Sequence, residues 1–204
     1  METLHPVEIR VLGALLEKDI TTPEYYPMTL NALVNACNQR SNRDPMVNYS
    51  EDTVLQALPL LRNKGLALKI TGAGHRVEKY SHRLGETLNL GRRELALLCV
   101  LMLRGPQTVG ELRGRTERMH DFADLDEVER CLESLGSRVP EPLVARASRG
   151  RWVQLLGGTP DLSAEAEAAP PLEHRIALEE RVAALEDEME RLKQQFEGFR
   201  RQFE

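Results

Sequence analysis

The stretch that decides the fold is Ser50-Glu-Asp-Thr-Val-Leu-Gln-Ala-Leu-Pro-Leu-Leu-Arg-Asn-Lys-Gly65. Ser50 is a favourable N-cap, the carboxylates of Glu51 and Asp52 suit the positive end of a helix dipole, and Gly65 is a stop signal. The apolar face of the segment is formed at helical spacing by Val54, Leu58 and Leu61. The stretch therefore predicts an amphipathic helix with one side against a core.

The segments on both sides of this helix complete a small domain. Residues 66–71 and 76–81 are short strand-like runs joined by a glycine-containing turn. Upstream, residues 6–18 and 29–37 carry apolar side chains at helical spacing. Three helices followed by a β-hairpin predict a winged helix-turn-helix domain over residues 1–88.

The same order returns in the next part of the chain. Residues 94–104 form a strongly apolar helical segment, Thr108-Val-Gly-Glu111 is a capping box, and Asp124 begins a third helical segment. Two further strand-like runs lie within residues 143–156. The interval between the second and third helices is longer in the first copy. This internal repeat predicts a second winged-helix domain over residues 89–157.

The C-terminal part has a different pattern. Residues 158–171 are rich in Gly, Ala, Glu and Pro, which is typical of a linker. In residues 172–204, apolar side chains step alternately by four and three residues, the a/d pattern of a coiled coil. This seam consists of Leu178, Val182, Leu185, Met189, Leu192, Phe196, Phe199 and Phe203. An isolated seam exposes an apolar strip, so it needs another copy, a different protein or the chain's own domains as partner. We favour a homodimer.

Composition indicates a folded chain without a strong overall charge. The 204 residues are 41% hydrophobic and 29% charged, values typical of globular proteins. The formal net charge is -5, and the excess of acidic side chains lies in the C-terminal tail, where residues 157–204 hold 6 basic and 12 acidic side chains. Residues 1–88 hold 10 basic and 10 acidic side chains, and residues 89–156 hold 11 and 10. The predicted domains are therefore near neutral and lack a global attraction to nucleic acid.

Several classes of function receive no support from the sequence. The N-terminus lacks the basic and apolar regions of a secretory signal, and nowhere do eighteen apolar residues run together, so we expect a cytoplasmic protein without a membrane partner. The five histidines stand at no metal-ligand spacing, and no nucleophile elbow occurs. We therefore expect neither an enzyme nor a cofactor or metal site.

Four long strings resemble those of the YceH-like bacterial family. They are Arg10-Val-Leu-Gly-Ala-Leu-Leu-Glu-Lys18, Thr22-Pro-Glu-Tyr-Tyr-Pro27, Ala36-Cys-Asn-Gln-Arg-Ser-Asn-Arg-Asp-Pro45 and Leu103-Arg-Gly-Pro-Gln-Thr-Val-Gly-Glu-Leu-Arg113. The likeness covers roughly residues 4 to 158. It implies a tandem winged-helix fold and the bacterial cytosol, and it brings no ligand or catalytic residue to transfer.

The fold class predicted is thus mainly α with small β-hairpins, an α+β chain of two tandem winged helix-turn-helix domains and a coiled-coil helix. Such domains commonly bind double-stranded DNA with one helix in the major groove and the wing on the flanking backbone. The candidate contact residues of the first domain are Asn38, Gln39, Arg40, Asn42, Arg43, Gln56, Arg62, Lys64, Lys69, Arg76, Lys79 and Arg83. Those of the second are Arg113, Arg115, Arg118, Arg149 and Arg151.

Two observations keep alternatives open. Carboxylates stand at the starts of the third helices, where a recognition helix approaches phosphates: Glu51 and Asp52 in one domain, Asp126, Glu127 and Glu129 in the other. The asparagines of the loop 38–45 can also satisfy turn backbone rather than bind a ligand. We predict a DNA-binding protein with a regulatory or architectural role, the alternative being a protein-interaction adaptor.

Overall fold

A computed structural model describes residues 2–71 and 77–158, together with the isolated helical positions Met189 and Lys193. The chain divides into two compact units, Met1–Pro160 and Asp161–Glu204.

The predicted linker and coiled coil lie outside the described residues, apart from Gly158 and two positions of the coil. One of these, the seam residue Met189, is 69% exposed. The coiled coil and the homodimer therefore stay predictions.

The first half of the described unit, residues 2–88, alternates helices with very short strands. Its elements are α1 (Pro6–Thr21), a 3₁₀ turn (Pro23–Tyr25), β1 (Met28–Thr29), α2 (Leu30–Cys37), α3 (Glu51–Asn63), β2 (Ala67–Ile70), β3 (Lys79–His82) and α4 (Leu84–Leu88). The strands form an antiparallel sheet in the order β1-β3-β2.

The second half, residues 89–158, repeats this order. Its elements are α5 (Arg92–Arg104), β4 (Gln107–Thr108), α6 (Val109–Thr116), α7 (Leu125–Gly136), β5 (Val144–Arg146), a 3₁₀ turn (Ser148–Gly150) and β6 (Arg151–Gln154). Its antiparallel sheet has the equivalent order β4-β6-β5. The α+β class predicted from the sequence is confirmed at this level.

Three predicted helix starts are confirmed by their caps. Ser50 Oγ accepts from the backbone N–H of Thr53 at 3.2 Å. Asp124 Oδ1 accepts from that of Glu127 at 2.7 Å. The capping box of α6 is complete, because the Thr108 hydroxyl accepts from the N–H of Glu111 while that carboxylate accepts from the N–H of Thr108.

The third strand of each sheet was not predicted from the sequence. β1 and β4 are two residues long, too short to show an alternating pattern, and each ends on the threonine that caps the next helix. An N-cap residue has extended backbone angles, so the same residue also pairs as a strand. Met28 pairs with Tyr80, and Gln107 with Trp152.

The two halves pack through α1 and α5, and the buried core is continuous across both. Gly13 on α1 allows the close approach, since a Cβ there would lie 2.9 Å from Leu103 Cδ2. Cys99 on α5 points its thiol at the Gly13 carbonyl oxygen, 3.6 Å away. Backbone hydrogen bonds from Leu4 to Leu156 at 2.7 Å and from Asp44 to Leu103 at 2.9 Å join the halves further.

No helix among the described residues is long and apolar enough to cross a membrane.

Candidate nucleic-acid interface

The exposed face of α3 is acidic and apolar. Val54, Ala57, Leu58 and Leu61 are buried, so helical spacing fixes which side chains face outward. These are Glu51, Asp52, Leu55, Gln56, Pro59, Leu60, Arg62 and Asn63. Two carboxylates and one guanidinium are the charged groups on this face. Leu55 is 43% exposed and Leu60 49%.

The equivalent face of α7 is mainly acidic. Val128, Leu132 and Leu135 point into the core, which turns the polar side outward. That side carries Asp126, Glu129, Arg130, Glu133 and Ser134. Arg146 on β5 pairs with Glu129 at 2.5 Å and covers the Trp152 ring, with the guanidinium carbon 4.9 Å from the ring centroid. The strand thus neutralises part of the acidic face.

Arg43, predicted to contact phosphate, lies in the core, and its side chain is fully covered. Its guanidinium donates to both Glu17 oxygens, at 3.0 and 2.7 Å, to the Ala36 carbonyl oxygen at 3.1 Å and to Gln39 Oε1 at 3.1 Å. Burial alone would raise the pKa of Glu17, but the hydrogen bonds and charge of Arg43 outweigh it and hold that pKa below its ordinary value. Arg43 anchors the loop and does not face solvent.

The polar side chains of the same loop also bind within the protein. Asn38 exchanges two hydrogen bonds of 2.8 Å with the backbone of Tyr49, which is the turn-satisfying role left open above. Asn42 has a positive φ of 60° and accepts from the guanidinium of Arg104. Arg40 is exposed and has no hydrogen bond or ion pair with any residue that the structure describes.

Three of the candidates on α3 and around the first hairpin are engaged in ion pairs. Lys64 lies 2.8 Å from Glu8 Oε1, Lys69 pairs with Glu78, and Arg83 lies 2.7 Å from Glu86 Oε2. Gln56 and Arg62 are exposed on α3, and Lys79 is half-buried. Arg76 lies outside the described residues.

In the second half the candidates divide into paired and free groups. Arg113 donates to the backbone oxygens of the α6–α7 loop, at 3.3 and 3.0 Å. Arg115 and Arg151 both pair with Glu111, at 3.4 and 3.2 Å. Arg118 and Arg149 are exposed and unpaired within the described part of the chain. The described members of the predicted set therefore do not form one continuous basic surface.

The structure brings together a group that the sequence analysis missed. Lys18 on α1 and Arg104 on α5 lie in one cleft with Arg115 and Arg118. The three helices that carry them are far apart in sequence, and Lys18, Arg104 and Arg115 each look like an ordinary cation in the last turn of a helix. No local pattern identifies them as a cluster.

The comparisons with known proteins identify the family. The model for "Protein of unknown function, DUF480" matches residues 4–151, which extend from before α1 to the first residue of β6. The chain belongs to this family. The resemblance stated from the four strings is confirmed.

Relatives in several bacteria match nearly the whole chain. The UPF0502 protein of Opitutus terrae is 51% identical over 192 residues, which cover 90% of this chain and 84% of that protein. The UPF0502 protein of Solibacter usitatus is 56% identical over 185 residues, which cover 89% of this chain and 88% of that protein. The UPF0502 protein of Citrifermentans bemidjiense is 56% identical over 178 residues, which cover 85% of this chain and 81% of that protein.

Proposed function

We propose that this protein is a cytoplasmic, non-catalytic binding protein built from two winged-helix modules, and that the exposed faces of α3 and α7 dock a protein partner. The repeated order of helices and strands supports the modules, since a hairpin follows the third helix in each half, where a winged helix has its wing. The division into domains at residues 88 and 157 is part of this proposal.

The main support for docking is the exposed face of α3. Leu55, Pro59 and Leu60 lie on it, and the adjacent strand adds Leu68, 43% exposed. Burying apolar surface stabilises a complex by about 25 cal/mol per Å². A helix that reads DNA instead presents cations and hydrogen-bond donors to the groove.

The charge on both faces defines the chemistry of the partner. Glu51 and Asp52 border the apolar side chains of α3, and Asp126 and Glu133 dominate the exposed side of α7. Carboxylates repel phosphates and attract basic groups, so the expected partner presents apolar side chains flanked by Lys or Arg.

The test compares surface variants of the full chain in capture from bacterial lysate. Leu55→Asp with Leu60→Asp removes the apolar face, and Val139→Asp is the matched control, because Val139 is 88% exposed at a different site. We expect a stoichiometric partner that the wild type and the control retain and the double variant loses. Equal retention by all three proteins contradicts docking through α3.

DNA binding is the second candidate, with a regulatory or architectural role. The observation in its favour is the tip of the second hairpin, where Arg149 is exposed and unpaired among the described residues, and Arg40 is similarly free in the first half. Anisotropy of a labelled duplex against salt tests it. A binder that neutralises Z phosphates gives a log-log slope near about -0.9Z, which Arg40→Ala with Arg149→Ala flattens.

The matched control for that measurement is Arg83→Ala, since Arg83 already pairs with Glu86. Salt-sensitive binding that the control keeps and the double variant loses favours DNA over protein docking. No binding at about 50 mM salt excludes the DNA role.

The C-terminal seam carries the proposal of a homodimer. Sedimentation of the full chain and of a chain that ends at Gly158 tests it, with a dimer and a monomer as the expected species. The same oligomeric state in both removes the seam as the cause.

A further inference from the structure

A cleft of about 410 Å³ opens between the C-terminal ends of α1, α5 and α6 and the loop after α2. Small-molecule sites in proteins commonly occupy about 300–1,000 Å³. Four cationic side chains line this cleft: Lys18, Arg104, Arg115 and Arg118. It lies away from the exposed faces of α3 and α7.

The charge of the cleft stays positive after its carboxylates are counted. Glu17 is in the wall, where Arg43 donates to both its oxygens and Lys18 lies 3.3 Å from one of them, so its charge is offset. Glu117 is the other acidic group of the lining. Three helix C-termini contribute about -0.5 charge each. Four cations against one uncompensated carboxylate and about -1.5 from the helix ends leave an excess of positive charge.

The cations are close enough to influence one another. Burial, followed by the charges of Arg115 and Arg43, lowers the pKa of Arg104. Arg104 and Arg115 have partners in Asn42 and Glu111. Arg118, just beyond α6, has none among the described residues and is free to bind a ligand.

A second cleft of the same volume shows that this charge is not a general property of the surface. It lies between α5 and α7 and is lined by Arg93, Glu94, Asp124, Glu127 and Arg130, with Ala123, Cys131 and Ser134. Three carboxylates there outnumber two guanidinium groups. Its arginines are therefore matched controls for the first cleft.

We propose that the cleft between α1, α5 and α6 binds a small phosphate-bearing anion through Lys18, Arg104, Arg115 and Arg118. Guanidinium groups bind phosphate oxygens with two parallel, charge-assisted hydrogen bonds. A concave cleft of this size admits a phosphate or pyrophosphate group but not a DNA duplex. The proposal goes beyond protein docking and does not depend on it.

The test is calorimetric titration of the full chain with inorganic pyrophosphate, with inorganic phosphate and a nucleoside monophosphate as further arms. We expect saturable binding at one site per chain. Arg115→Ala with Arg118→Ala weakens it by at least about tenfold, because two charge-assisted contacts are lost. Arg93→Ala with Arg130→Ala leaves it unchanged. If pyrophosphate or phosphate binds with the highest affinity, the ligand is a free phosphate group. If the nucleoside monophosphate binds with the highest affinity, the ligand is a nucleotide.

A thermal measurement separates this site from cations that only balance helix ends. For an anion site, pyrophosphate raises the Tm of the wild type by preferential binding to the folded state and, at the same concentration, raises that of the double variant less. Cations with a purely structural role give no such shift, and removing them lowers the Tm. The proposal is overturned if pyrophosphate does not shift the Tm of the wild type. It is also overturned by loss of binding in the control pair or by no binding at millimolar pyrophosphate. Binding of duplex DNA through Arg115 and Arg118 without competition by pyrophosphate overturns it in favour of nucleic acid.

Discussion

The two halves connect their second and third helices by loops that are anchored in opposite ways. In the first half, residues 38–50 pass over the core with Arg43 buried on Glu17. In the second half, residues 117–124 pass over the core, and the side chain of Phe122 is buried there with 1% of its surface exposed. One order of elements thus accepts an ionic anchor or an apolar one.

The difference between the two anchors follows from the side chains that each loop contains. In the longer loop Met46 is 67% exposed and Tyr49 is only partly buried against the core, so Arg43 is the fully covered side chain of this loop. The shorter loop buries Met119 and Phe122, and His120 meets the Phe122 ring edge-on at 4.6 Å between centroids. A polar anchor needs complete pairing in the core, whereas an apolar one needs only a matching cavity.

The largest expected effect comes from removing the ionic anchor. Arg43→Met removes the main partner of the buried Glu17 carboxylate, which keeps only Lys18 at 3.3 Å, and breaking a buried ion pair typically costs about 3–5 kcal/mol. We expect a loss of that size in the free energy of unfolding from urea denaturation at pH 7. Arg40→Met is the matched control, because Arg40 is exposed three residues away, and its effect should stay within about 0.5 kcal/mol.

The ionic origin of this loss is checked by Glu17→Gln combined with Arg43→Met. Without a buried charge, the double variant should be more stable than Arg43→Met alone. A double variant less stable than Arg43→Met indicates that packing, not charge, anchors the first loop.

A loss of similar size is expected at the apolar anchor. Phe122→Ala leaves a cavity in the core, at a typical cost of about 3–5 kcal/mol. Urea denaturation at pH 8 and at pH 9 should give the same difference from the wild type, since the side chain that is removed carries no charge. A difference that changes strongly between these pH values contradicts an apolar anchor.

A smaller effect is expected at the stem of the longer loop. Asn38→Ala removes two hydrogen bonds to the Tyr49 backbone, each contributing about 0.5–1.5 kcal/mol. We expect a loss of about 1–3 kcal/mol in thermal unfolding with no change in the fold by circular dichroism. Asn35→Ala is the control, because Asn35 is exposed on α2, and a loss as large as that of Asn38→Ala would indicate a general effect of the helix.

The smallest effect expected is the dependence of stability on pH. The folded-state pKa of Glu17 is lowered from 4.5, so its contribution is complete above that value and is lost as the pH falls through the lower folded-state pKa. Stability measured from pH 6 to pH 3 should therefore fall less steeply in Arg43→Met than in the wild type. Parallel curves for the two proteins contradict the pairing.

Much of the fold follows from local signals. The caps at Ser50, Thr108 and Asp124 and the helical spacing of apolar residues predict the helix starts and the buried faces. The site was less predictable, because a sequence shows that Arg43 is charged but not where its side chain points. Its burial depends on Glu17, which lies 26 residues earlier on α1.

By itself, the sequence determined six of the seven helices of the described residues, all but α4, together with the two hairpins, the repeat and the family, because these depend on neighbours in the chain and on patterns a few residues long. Only the tertiary structure decided which cations are free and that Lys18, Arg104, Arg115 and Arg118 share a cleft. The physical reason is that burial and charge balance depend on the packing of α1 against α5, which brings together residues more than eighty positions apart.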